Sequence, residues 1–324
     1  MQPVGATPDM SVVLGVYEGR EQLAASFESV LTQRGPRFEV VVVNDGSGDE
    51  TTAWLRDLAR RDARVVLLEQ ANAGLTAALM RGCREARAPV IVRQDIGDRS
   101  LPGRFEALLD ALHASSATVM ASSWVRLLGP MGEPLVTVRR AADPEYNRRQ
   151  LLEHLLGPPC HGATAFRRDA FEQVGGYRPR FLFAQDGDLW LRLAERGGFA
   201  CVQRVLYEWV YDLAGISGTR QVAQAAFGEY AHACRAARLA GRPDPPPPSI
   251  DRAPTSEAER RAARAAALYF VGACLDARGD PRGRAYLRQA VASRPASVRT
   301  WLRWLWALRP LRSSAASEGV EPRS

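Results

Sequence analysis

Between positions 11 and 93 the chain alternates short, unbroken apolar runs with longer amphipathic ones. Ser11 to Val16 (SVVLGV), Phe38 to Val43 (FEVVVV), Arg64 to Leu68 and Val90 to Arg93 read as buried strands. Gln22 to Gln33, Thr51 to Arg61 and Leu75 to Ala86 carry helical apolar spacing. Apolar strands separated by helices predict a mostly parallel sheet covered on both faces, an α/β fold. Such sheets bind ligands at the carboxyl ends of their strands. Three of those ends are polar here: Tyr17-Glu18, Asn44-Asp45, and Asp95 with Asp98.

The middle is mixed. Thr118 to Leu127, Ala163 to Phe166 and Phe199 to Leu206 read as strands; Tyr146 to Leu156, Asp186 to Arg196 and Gln221 to Leu239 read as helices. The run Pro245 to Pro248 marks a stiff linker. A helical hairpin follows, Glu257 to Arg278 and Arg282 to Ser293, and then a short helix, Val298 to Leu308, with Trp301, Trp304 and Trp306. The expected organisation is an α/β domain over 1–240, a linker over 241–256, a basic helical segment over 257–312 and a disordered tail over 313–324.

Charge changes this picture only at one end. The net charge is +7, yet Arg260 to Arg312 holds 12 Arg against two Asp, a local +10, and residues 1–259 sum to −2. The basicity therefore describes the C-terminal segment and not the partner of the main domain. All 43 basic residues are Arg. A Walker lysine, a Schiff-base lysine and a lysine general base are excluded. The five cysteines lie at least 33 positions apart, which argues against a zinc site or disulfide framework. No run of apolar residues is long enough to span a bilayer, and residues 1–9 lack a charged and apolar leader pattern, so a cytoplasmic protein is expected.

Each candidate residue taken alone reads two ways. Asp45 in Asn44-Asp45-Gly46-Ser47 is a ligand group or an Asx-turn residue. Asp95 and Asp98, three apart beyond the fourth strand, share a divalent cation or cap the helix starting near Pro102. Asp186 and Asp188 open an amphipathic helix, where acids favour the N-terminal dipole whatever their function. Arg104 faces a diphosphate or a helix surface.

Four segments read together carry more. They are Ser11 to Glu18; Glu39 to Asp49, containing Asn44-Asp45-Gly46-Ser47; Val92 to Arg104, containing Gln94-Asp95-Ile96-Gly97-Asp98; and Phe166 to Leu193, containing Gly175-Gly176-Tyr177 and Gln185-Asp186-Gly187-Asp188. In order and spacing the chain resembles family 2 inverting glycosyltransferases of the GT-A fold over about residues 10 to 220. The resemblance implies a Rossmann-like sheet and a nucleotide-diphosphate sugar donor, with UDP or dTDP as its nucleotide. It implies that Val16, Tyr17, Glu18 and Asp45 hold the base, Tyr17 by stacking and Asp45 by accepting from a pyrimidine N–H. It implies that Asp95 and Asp98 bind ribose and a metal–diphosphate, with Arg93 and His161 lining the donor site and Mn or Mg as cofactor. Asp186 falls where the family places its general base. The reaction implied is one displacement with inversion at the anomeric carbon, onto a glycan or lipid-linked acceptor in cell-envelope polysaccharide synthesis.

Several positions depart from the family pattern. Gly97 stands where a third acid is common. Glu18 replaces the usual Asn, Asn44 the first Asp of a pair, and Gln185 the acid before the base. Val210-Tyr211-Asp212 replaces an Arg-x-His, leaving Asp212 as a candidate metal ligand. The alternative reading is a degenerate transferase that serves as a binding or scaffold protein, with Gly97 as its support. The C-terminal hairpin resembles a single tetratricopeptide-like unit. Its arginines and tryptophans fit an in-plane helix on anionic lipid, a protein partner, or tryptophans packed on the main domain. No nucleic-acid recognition motif accompanies the basic segment, and no nucleic acid is expected as partner.

Overall fold

The computed structural model describes residues 7–213, 220–249 and 256–308. The expected tail over 313–324 and part of the proline-rich linker lie outside the described residues. Four strands, β1 (Met10–Val16), β2 (Phe38–Asp45), β3 (Val65–Gln70) and β4 (Val90–Arg93), alternate with helices α1 (Arg20–Leu31), α2 (Asp49–Arg61) and α3 (Leu75–Glu85). β1 runs parallel to both β2 and β4, and β2 parallel to β3. The chain continues through β5 (Arg99–Ser100), α4 (Arg104–His113), β6 (Thr118–Leu128), β7 (Pro134–Val138), α5 (Pro144–His154), β8 (Ala165–Arg167), α6 (Arg168–Gln173), α7 (Gln185–Ala194), β9 (Gly198–Val210) and α8 (Gln221–Leu239). The sheet order is β3-β2-β1-β4-β8-β6-β9-β5, with β7 on β6. β8 joins antiparallel to β4 and β6, and β5 antiparallel to β9.

The two-residue period of the strands divides the core. Val12, Leu14, Val40, Val42, Val90 and Val92 pack with Leu23 and Phe27 of α1 and Phe105 and Leu108 of α4. Val13, Val41 and Ile91 point the other way, toward Leu79 of α3, Leu189 and Leu193 of α7, and Phe227 of α8. Because both faces are covered, these strands show no polar alternation, which is why they are legible as unbroken runs.

The structure corrects the expected elements in five places. β5, β7 and α6 are additional to the elements the hydrophobic pattern predicts. β5 has two residues and exists only through its register with Glu208 and Tyr207. β9 runs four residues beyond Leu206. The strand expected from Ala163 begins at Ala165, because His161–Ala163 is a 3₁₀ turn that precedes β8.

The chain divides into two compact units. The first holds residues 1–127, 137–210 and 222–250, and the second residues 128–136, 211–221 and 251–324. In the second unit, α9 (Glu257–Ala277), α10 (Arg282–Ser293) and α11 (Val298–Ala307) follow one another. Ser256 and Glu259 form a reciprocal capping box at the start of α9. Leu268, Val271 and Leu275 of α9 are buried, as are Leu287 and Ala290 of α10. The Tyr286 hydroxyl donates to Glu133 Oε1 at 2.8 Å within the same unit.

Candidate functional site

The carboxyl ends of β1, β2 and β4 lie side by side, as the parallel register requires. Tyr17 leaves β1 with 61% of its surface exposed, so its ring is available to stack on a planar ligand. Glu18 has a left-handed φ of 57°. Its backbone N–H donates to Ser47 Oγ at 2.9 Å, and its Oε1 accepts the Gly48 N–H at 2.8 Å. Glu18 therefore ties the β1 end to the β2–α2 turn, inside which Asn44 Oδ1 accepts the Ser47 N–H at 3.0 Å. Asp45 is buried and turned to the β3–α3 loop. It accepts from Gln70 Nε2 at 2.7 Å, Ala73 N–H at 2.9 Å and Gly74 N–H at 2.8 Å.

The β4 end is built on two buried arginines. Arg93 is completely buried, and its guanidinium donates to the Val13 carbonyl, to the Gln94 carbonyl at 3.1 Å and to Asp95 Oδ1 at 2.5 Å. Its Nε donates to His161 Nε2 at 3.3 Å, and the same nitrogen of His161 lies 2.7 Å from the Tyr177 hydroxyl. Two donors converging on Nε2 assign His161 the neutral form with its proton on Nδ1. Burial, and then the Arg93 charge, hold its pKa well below 6.5. Arg104 is also completely buried, so neither the diphosphate nor the helix-surface reading of it stands. It donates to Gln94 Oε1 at 3.1 Å, Ser100 Oγ at 2.7 Å, the Arg93 carbonyl at 2.9 Å and the Gly162 carbonyl at 2.7 Å.

Asp98 faces inward. Its Oδ2 accepts the Tyr207 hydroxyl at 2.8 Å and its Oδ1 the Val210 N–H at 3.0 Å. Burial, and then the charge of Asp95, push its carboxyl well above the ordinary range. The Tyr207 oxygen also accepts the Asp95 N–H at 3.2 Å, so Tyr207 links the two acids to β9. Gly162 closes over this pair; a Cβ there would lie 2.9 Å from Asp95 Oδ2 and run into the Tyr207 hydroxyl.

Asp186 sits in the first turn of α7, following Ala184 at a left-handed φ of 49°. The carboxylate is half-buried, and its Oδ1 accepts the Gly187 N–H at 2.9 Å. Burial raises its pKa above 3.8, the charge of Asp95 raises it further, and Arg93 opposes. Asp95, just past β4, and Asp186 on α7, 91 positions apart in sequence, are thus coupled through their charges. Asp188, on the same turn, is instead buried against Arg178 and Arg192, the latter pair at 2.6 Å.

These donors do not fit a divalent cation, which takes about six or more oxygens. Asp95 is held by Arg93, and both oxygens of Asp98 are engaged. Gly97 supplies no carboxylate and has a φ of 92°, a conformation side chains rarely adopt. Asp212 is exposed. Among the described residues no cluster of three or more His, Cys, Asp or Glu is placed to hold a metal ion. Tyr177 joins the site from the Gly175-Gly176-Tyr177 element of the fourth segment, whereas Tyr207 and Gly162 join it without a distinguishing mark in the sequence. The one available signal is a tyrosine or glycine interrupting otherwise apolar stretches, which also describes ordinary core residues.

A doubly covered, mostly parallel α/β sheet takes its ligands in the crevice outside the carboxyl ends of its strands. The profile of the family described as Glycosyl transferase family 2 matches residues 11–175, and the chain belongs to that family. It is 29% identical over 205 residues to a Bacillus subtilis (strain 168) protein named glycosyltransferase EpsE, covering 59% of this chain and 68% of that one. It is 26% identical over 202 residues to the Escherichia coli UDP-Gal:alpha-D-GlcNAc-diphosphoundecaprenol beta-1,3-galactosyltransferase, covering 59% and 70%. Among solved structures, S. aureus TarS residues 1–349 in complex with UDP superposes with a TM-score of 0.55 at 12% identity, covering 89% and 81%. GalNAc-T7 with UDP, GalNAc and Mn2+ gives 0.51 at 16% identity, covering 64% and 44%. Both likenesses concern the fold, which is the GT-A fold.

Proposed function

We propose that this chain is an inverting glycosyltransferase that moves a monosaccharide from a UDP- or dTDP-sugar to a hydroxyl of a glycan or lipid-linked acceptor in polysaccharide synthesis. The observation that carries the reading is the grouping of the exposed Tyr17 with Asn44, Asp45 and Asp95 at the adjacent carboxyl ends of β1, β2 and β4, with the charge of Asp95 felt at Asp186. Tyr17 stacks on the base. The β1 end and the turn held by Glu18 and Asn44 border it. Asp45 keeps the Ala73 and Gly74 amides in place as the far wall.

The chemistry needs one base and no protein nucleophile. Asp186 takes the proton of the acceptor hydroxyl as its oxygen bonds to the anomeric carbon. The bond to the diphosphate oxygen breaks on the opposite side, and the leaving group keeps the electron pair. The configuration inverts in one step. A raised pKa makes Asp186 a stronger base than an exposed aspartate. No step passes through a metal ion, for which the donor set offers no site. Arg93 fixes Asp95 beside the donor.

Calorimetric titration with UDP, dTDP and GDP, beside a transfer assay on Asp186→Asn, tests the reading. Wild type should bind one nucleotide, and the variant should bind it equally while losing transfer. Normal transfer by the variant refutes the base assignment; no nucleotide binding by folded wild type refutes the enzyme reading.

A further inference from the structure

Helix α11 has its amphipathic character inverted. The face it turns to its own unit carries Thr300 and Ala307, which are buried at 6% and 3% exposure. Arg303 fixes that face, pairing with Asp276 at 2.8 Å and donating to the Ala273 carbonyl at 3.4 Å. From the other helix, Arg284 Nε donates to the Ala307 carbonyl at 2.8 Å. The large apolar side chains point away: Val298, Trp301, Leu302, Leu305, Trp306 and Leu308 are between 39% and 70% exposed. At about 100° per residue these six fall within roughly half of the helix circumference. Trp301 is anchored by its indole N–H to the Pro295 carbonyl at 2.8 Å, which orients the ring without burying it.

The charge around this face points to its occupant. α11 contains Arg299 and Arg303 and no acid. Across Arg260 to Arg312 the two acids are Asp276 and Asp280, and both are paired, with Arg303 at 2.8 Å and Arg282 at 2.6 Å. The surplus of ten positive charges in that segment is therefore not answered from within it. An apolar face of Leu and Trp in a strongly cationic surround fits the boundary between acyl chains and anionic headgroups. No helix among the described residues is long and apolar enough to cross a membrane, so the fit is in-plane.

We propose that α11 docks the second unit onto an anionic lipid surface, with Trp301, Leu302, Leu305 and Trp306 in the acyl–headgroup boundary and Arg299 among the headgroups. The inference goes beyond the catalytic reading and does not depend on it.

Flotation of the full chain with vesicles tests it. Wild type should float with phosphatidylcholine–phosphatidylglycerol vesicles and bind pure phosphatidylcholine at least about tenfold more weakly. The double variant Leu302→Glu with Leu305→Glu changes exposed positions and should fold, as judged by circular dichroism and an unchanged melting temperature. It should lose at least about tenfold in vesicle binding. Arg299→Glu should weaken binding to the anionic vesicles and leave binding to the neutral ones unchanged. Tryptophan emission should shift to the blue with vesicles for wild type alone. Wild type that stays in the dense fraction, or a double variant that floats like wild type, overturns the proposal. A light-scattering shift from dimer to monomer in the double variant, with no vesicle binding by wild type, gives the face to a second copy and overturns it as well.

Discussion

The wholly buried guanidinium of Arg93 holds Asp95 at 2.5 Å, and the same Arg93 rests on a neutral His161. Asp95 is thus a positioned anion whose partner comes from its own strand. Arg93 is a positioning residue: Arg93→Met should weaken UDP binding about tenfold or more, because the unsupported Asp95 loses its fixed geometry. Arg93→Lys should not restore it, since one ammonium cannot serve Val13, Gln94, Asp95 and His161 together. Calorimetry on both variants checks this.

The same pairing predicts independence from divalent metal. UDP affinity measured with EDTA and again with Mn²⁺ should agree to within about twofold, because Arg93 already holds Asp95 Oδ1 while Tyr207 and Val210 hold both oxygens of Asp98. A strong requirement for Mn²⁺ would mean that Asp98 breaks its bonds to Tyr207 and Val210 when ligand arrives.

With Asp186 as the proposed base, its protonation should set the acidic limb of the rate profile. The burial that raises its pKa places that limb above 3.8, and transfer should fall as the group is protonated. Asp95 contributes to the rise, so Asp95→Asn should move the limb of kcat/KM to lower pH. Asp186→Asn should lower kcat by about 10²- to 10⁴-fold with nucleotide affinity retained.

His161 links stability to pH. Its folded pKa lies well below 6.5, so below pH 6.5 the unfolded chain takes up a proton that the folded chain refuses. Its contribution is present at pH 7 and falls as pH drops below the unfolded pKa. Urea unfolding between pH 7 and pH 5 should therefore show a steeper loss for wild type than for His161→Gln, the difference between the two slopes being the contribution of this residue.

Arg104→Met should cost about 3–5 kcal/mol in urea unfolding, since it strands the Gln94, Ser100, Arg93 and Gly162 oxygens in the interior. Gly162→Ala should cost about 1–3 kcal/mol and weaken UDP binding as well, because its methyl displaces Tyr207 and Asp95 together.

Much of the frame is legible in the amino-acid sequence. β1, β2 and β4 can be read because buried parallel strands must be apolar on both faces. The polar ends Tyr17-Glu18, Asn44-Asp45 and Asp95 stand out against that background. Asp186 is legible through its place in an ordered set of four segments. The directions of Asp98 and Arg104 are not. A carboxylate three positions from another looks the same along the chain whether it faces ligand or interior, and the choice is made by Tyr207 and Val210, which arrive from a strand more than 100 positions away. The face of α11 is ambiguous for a related reason: its period shows that one side is apolar, and period alone is silent on which side meets a neighbour.

What the sequence determined by itself is what local physics controls: the buried strands, the helices between them, the acids at the strand ends and the arginine surplus of the C-terminal segment. Tertiary structure alone decided which charges are buried and paired, which way Asp98 and Arg104 turn, and which side of the last helix stays exposed. Those outcomes rest on desolvation and contact between residues distant in the chain, and no local pattern encodes them.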